Sequence, residues 1–188
     1  MRLVLHYRGP LRANGPPAHK HDLRQHFHAQ LKKLWSQKPL TESPDLLMPK
    51  PKDRPGDYSL LRPMGPFTFV PLITEEMNVV AELSVTLLQP ETPGGLITQG
   101  GDIDNRLKTL FDALTMPRYS NALPSGAVPQ SDETPFFFCL LEDDNLVTAV
   151  SVRTEQLLEP DIDSALVDAS IHVLTRVTRP TMGNPSFA

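Results

Sequence analysis

The chain reads as an α+β fold, a mixed β-sheet packed by two helices. Two stretches carry apolar residues at helical spacing, several short stretches are rich in β-branched residues and Leu, and the two kinds alternate. At 188 residues the chain suits one domain, large enough to bury its own core. The expected order is strand, helix, strand, helix, strand, strand.

Residues 2–8 alternate loosely through Leu3, Leu5 and Tyr7 and read as a first strand, ended by Gly9-Pro10. A turn-rich segment follows at 12–17. From His19 to Ser36 the pattern is helical, with Leu23, Phe27, Leu31, Leu34 and Trp35 on one face. Lys20, Arg24, His28 and Lys32 recur every fourth residue and form a cationic stripe on the neighbouring face. Residues 39–71 hold eight prolines in 33 positions and no sustained period, which predicts a loop insertion, with Phe67–Ile73 a short edge strand at its end.

Val79–Leu88 is a strong strand, stopped by the turn residues Pro90 and Pro93-Gly94-Gly95. Ile103, Leu107, Leu110, Phe111 and Leu114 then share a helical face, and Pro117 ends that helix. A second Pro- and Ser-rich insertion covers about 118–135. The apolar run Phe136–Leu141 leads through Asp143-Asp144 into a strand at Val147–Thr154, and 165–177 reads as the last strand, with helix left open for its first half. The tail, 180–188, is expected to be loose.

The single cysteine, Cys139, sits in an apolar run and excludes an intrachain disulfide framework. The apolar stretch at the N-terminus is too short for a signal peptide and no stretch reaches transmembrane length, so a cytoplasmic location is expected. The net charge of −4 hides an asymmetry. Residues 1–38 hold eight Lys or Arg against one acid, Asp22, which leaves ten bases against 21 acids in the other 150 residues. A basic segment beside an acidic body suits a polyanion-facing surface; a solvated basic helix with no partner is the other reading. His19, His21, His26 and His28 invite a zinc site, but helical spacings of two do not share a face and no cysteine cluster accompanies them.

The most informative stretch is Gly101-Asp102-Ile103-Asp104-Asn105-Arg106-Leu107-Lys108. Asp102 and Asp104, on an extended segment just before the helix, can face one point while Ile103 turns inward. Lys108, one turn beyond Asp104, projects on the same flank and can meet a phosphate oxygen. Mg²⁺ needs only two or three converging carboxylates, because waters and substrate phosphate oxygens complete its shell. Together these groups suit metal-assisted phosphodiester cleavage. The alternative is structural, with Asp104 capping the helix and Lys108 pairing with it at i, i+4. Asp143 and Asp144, if in a strand, point to opposite faces, so at most one of them meets a metal without a bulge; an ordinary acidic turn at the start of the strand is the other reading.

Asp102-Ile103-Asp104-Asn105-Arg106-Leu107-Lys108, then Phe111-Asp112-Ala113-Leu114, then Leu141-Glu142-Asp143-Asp144 with Val147 three residues on, resembles the RusA family of Holliday junction resolvases. That family reads Asp-x-Asp-Asn-x-x-Lys, an Asp-Ala-Leu in the same helix and a downstream Asp-Asp opening a strand. The resemblance implies a RusA-like fold in which Asp102, Asp104 and Asp144 hold Mg²⁺ or Mn²⁺, Lys108 is the essential cation, and Asp143 is a further candidate ligand. It also implies a homodimer of bacterial or phage origin that nicks opposing strands of a four-way DNA junction. Lys20, Arg24, Lys32 and Lys33 are then expected to contact the DNA backbone, with Lys108. The two insertions and the acidic C-terminal body depart from the compact family pattern. They leave open a DNA-binding module that kept the scaffold and lost turnover.

Overall fold

The computed structural model describes residues 1–49, 58–90, 103–181, 183–184 and 187. A long helix, α1 (Pro17–Trp35), runs between two sheets. The larger sheet contains β1 (Arg2–Pro10), β4 (Val79–Gln89), β6 (Val147–Gln156) and β7 (Leu166–Val177), in the order β1-β7-β4-β6. β7 pairs antiparallel with both β1 and β4, while β6 joins β4 in parallel as an edge strand. The smaller sheet contains β2 (Arg62–Met64), β3 (Phe67–Ile73) and β5 (Phe137–Leu141), with β3 central, antiparallel to β2 and parallel to β5. The second helix, α2 (Ile103–Leu114), packs on α1.

Period-two patterning is plain in the large sheet. Leu5 and Tyr7 of β1, alternate residues Val79 to Leu87 of β4, and Val167, Ala169, Ile171 and Val173 of β7 are all buried, with polar residues between them except at Val80. On that inner face lie Leu23, Phe27 and Leu31 of α1, which are at most 1% exposed. The other side of α1 meets the small sheet: the His28 ring lies 4.7 Å from Phe137, and Trp35 stacks on Phe138. α1 is therefore covered on two faces. The chain is α+β as expected, but it has two sheets rather than one.

Three expectations are corrected by that second sheet and its surroundings. Phe67–Ile73 is a central, almost wholly buried strand; Pro71 is tolerated because it falls beyond the short β2 ladder, where one side of β3 has no strand partner. Residues 40–47 form two short 3₁₀ turns that bury Leu40 and Leu46. The tail is anchored where it is described: Phe187 is fully buried, and Asn184 donates to the carbonyls of Met77 and Arg179.

Candidate functional site

The site is organised by how α2 is held. Asn14, with φ of 51°, and Gly15 bring the start of α1 against α2: the Gly15 N–H donates to Thr109 Oγ1 at 2.9 Å. A Cβ on Gly15 would come within 2.7 Å of His19 and 2.9 Å of Thr109, so only glycine allows this approach. At the other end of α2, the Met116 N–H donates to the carbonyl of Leu141, which ties the helix exit to the end of β5. Asp143 and Asp144 follow two and three residues later.

Asp143 and Asp144 do not stand on a strand. Asp143 caps a 3₁₀ turn, Asp144–Leu146, by accepting from the Asn145 N–H at 2.9 Å. The turn breaks the period of two, and both carboxylates accept from one Arg118 Nη2, at 2.7 Å and 2.9 Å. The expectation of opposite faces is thus overturned, and the other reading, an acidic turn at the start of a strand, is what the chain forms. Burial acts to raise the Asp143 carboxyl, but the Asn145 amide, Asp144 and the Arg118 guanidinium outweigh it and hold the carboxyl below its usual range. Glu142, just before the doublet, is fixed separately by Arg62 Nε at 2.5 Å and by the Glu75 N–H.

Along the outer flank of α2 lie Asp104, Lys108 and Asp112, one per turn. Helix α2 begins at Ile103, so Asp104 is already in its first turn rather than on an extended lead. Its Oδ1 accepts the adjacent Asn105 N–H at 3.1 Å. Asp104 and Lys108 are exposed, and no ion pair joins them, which removes the i, i+4 pairing alternative. Asp112 pairs with Lys20 Nζ at 2.6 Å. Asp102 lies outside the described residues. Asp144 lines a depression with Asp112 and Thr115, beside the last turn of α2. Eight residues separate Asp104 from Asp112, about 12 Å of helix axis. Among the described residues no three His, Cys, Asp or Glu side chains are grouped to hold a metal ion.

Of the cationic stripe of α1, Arg24 and His28 lie in the interior, Lys20 is half-buried and Lys32 is exposed. Arg24, 2% exposed, donates through Nε and Nη2 to the carbonyls of Thr115 and Asp112 at the end of α2. Those are carbonyls that the helix itself leaves without partners, and a cation there also suits the helix dipole. Burial lowers the Arg24 pKa to about 10, so it stays charged at neutral pH. His28, 1% exposed, accepts from the Phe138 N–H and bonds the Asp132 carbonyl. Lys32 reaches the same Asp132 carbonyl. His21 packs among Phe67 and Phe137, His19 accepts the Arg12 N–H, and His26 bonds the carbonyl of His6. The four histidines are therefore placed as packing and hydrogen-bonding groups, each with its own surroundings. Arg24 cannot reach a DNA backbone from this position, and Lys20 and Lys32 are engaged, whereas Lys33 and Lys108 are open to solvent.

Sequence reasoning missed Arg118. It is the only Lys or Arg in the 118–135 insertion, an isolation that marks it out once the neighbouring acidic doublet is known. No protein-family model, curated protein or solved structure matches the chain.

Proposed function

We propose that the chain is a divalent-metal-dependent endodeoxyribonuclease of RusA type, acting on branched DNA as a homodimer. The observation that carries this reading is the convergence of Asp143 and Asp144 on one cationic group, beside the helix whose open flank bears Asp104 and Lys108. Paired hard oxygen donors that already share a guanidinium fit a hard divalent cation. One or two Mg²⁺ or Mn²⁺ ions would be held by Asp102, Asp104 and Asp144, with Asp143 as a further donor. When bound, the metal supplies a Lewis acid that lowers the pKa of a water molecule at the scissile phosphate.

The chain's own groups then have distinct tasks. Lys108, exposed and without an ion-pair partner among the described residues, offsets phosphate charge. Lys33 adds a sequence-independent backbone contact whose strength falls with salt. Arg118 balances the acidic pair, and a bound metal would take over that role. A two-fold dimer matches the two-fold symmetry of a four-way junction.

The test is nicking of a synthetic four-way junction with and without Mg²⁺, comparing the parent with Asp104→Asn. The expected result is metal-dependent nicking in the parent, and no nicking but preserved or tighter junction binding in the variant, since one charge repelling phosphate is gone. Asp104 is exposed, so folding should change by less than about 0.5 kcal/mol. A second reading, a DNA-binding module without turnover, is favoured by the span of α2 between Asp104 and Asp144. Binding without nicking at any divalent metal would select it.

A further inference from the structure

We propose that the chain docks against a second copy of itself along β6, antiparallel about Ser151, so that two four-stranded sheets join into one. This rests on the homodimer of the reading above and names the surface that forms it.

The large sheet has two edges, and α1 closes one of them. At the β1 edge the His6 N–H donates to Gln30 Oε1 at 2.9 Å, and the His6 carbonyl is bonded by Gln30 Nε2 and His26 Nε2. Side chains of α1 thus occupy backbone groups that a further strand would need. β6 is the other edge, ten residues long and paired to β4 alone. Its own side-chain bonds run to the β4 side, from Thr148 to the Ala81 carbonyl and from Gln156 to the Pro90 carbonyl. β6 holds neither lysine nor proline, the residues that commonly blunt a free edge.

The sequence of β6 selects what pairs there. Thr148-Ala149-Val150-Ser151-Val152-Arg153-Thr154 reads the same in both directions apart from Ala149 and Arg153. In a two-fold interface residue i meets j and j meets i, so a strand that pairs with its own copy needs such a pattern. Val150 lies beside Leu83 on the core side of the sheet, yet is 48% exposed at the open edge. With Ser151 on the axis, Val150 sits opposite the partner's Val152, and Val152 opposite the partner's Val150. Cross-strand pairs of this kind stabilise sheets. The mismatched positions set Arg153 against the partner's Ala149, so like charges do not meet. A slide of two residues would set Val150 against the partner's Thr154, so the valines fix the register. The acidic doublet leads directly into β6, and the same axis relates the doublets at the two ends of the joined strands.

The experiment measures the oligomeric state of the full chain by sedimentation equilibrium and the register by cross-linking. The parent is expected to be a dimer, and Val150→Lys should weaken it by at least ~10-fold while the circular dichroism spectrum is unchanged. Ser151→Cys should be joined into a covalent dimer by a short thiol-reactive linker. Ser84→Cys, exposed on the same face but on β4, should not, nor should the parent, whose Cys139 is buried. A dimer that Val150→Lys leaves intact, or linkage of Ser151→Cys no faster than that of Ser84→Cys, overturns the β6 interface and leaves the homodimer standing. A monomeric parent overturns the interface and the homodimer together, and metal-dependent nicking then judges the nuclease chemistry separately.

Discussion

Helices α1 and α2 carry the same kind of polar stripe and put it to opposite uses. On α1, Lys20, Arg24, His28 and Lys32 recur every fourth residue; on α2, Asp104, Lys108 and Asp112 do the same. On α1, Arg24 and His28 are closed over by α2, β5 and the 118–135 segment and bond backbone carbonyls and an amide there, while Lys20 pairs with the Asp112 carboxylate and Lys32 reaches the Asp132 carbonyl from the surface. The first two residues of the α2 stripe remain open to solvent. Helical spacing fixes which residues share a face. It does not fix whether a neighbour covers that face, because the neighbour is chosen by contacts distant in sequence. A charge run on one helix is therefore structural, and on the other it is free for chemistry.

Arg24→Ala should break the contrast most severely. It strands two carbonyls at the end of α2, at an expected cost of about 3 kcal/mol, read as a lower urea midpoint. Lys108→Ala is the matching control on α2 and should leave the midpoint unchanged, within about 0.5 kcal/mol.

The pH dependence of stability sharpens the same contrast. Burial lowers the pKa of His19, His21 and His28 in the folded chain. The unfolded chain therefore takes up protons first as pH falls, so stability is fully present above about 6.5 and declines below it, by at most ~1.4 kcal/mol per pH unit for each histidine. Urea midpoints at pH about 7.5 and about 5 measure this, and His28→Gln should flatten part of the slope. A parent whose midpoint rises on acidification would contradict the interior placement of these rings.

The smallest effect on folding is expected at Arg118. It is exposed, so Arg118→Ala should leave the unfolding midpoint unchanged while Asp143 and Asp144 lose their shared cation. Divalent-metal affinity, read by Mn²⁺ calorimetry, should rise severalfold. Unchanged affinity would mean that the doublet is not where the metal binds.

The elements legible in sequence are those with an open side. β1, β4 and β7 alternate because one face meets the core and the other does not, and the apolar face of α2 repeats at helical spacing for the same reason. The small sheet was hidden as a sheet by the opposite condition: β3 was legible as a strand, but β5 is buried at all five residues and has no period, and β2 has only three residues. At the site, the flank of Asp104 and Lys108 follows from spacing alone. The meeting of Asp143 and Asp144 does not, because it depends on a 3₁₀ turn and on an arginine 25 residues upstream of Asp143.

The most direct test of the central claim is single-turnover nicking of a four-way junction by Asp144→Asn in Mg²⁺. The variant should still bind the junction, and its nicking rate should fall at least ~100-fold, more than is lost when only a group supporting a metal ligand is removed. Parent-like nicking by Asp144→Asn would contradict the account, because the acidic pair beside α2 would then have no part in the chemistry.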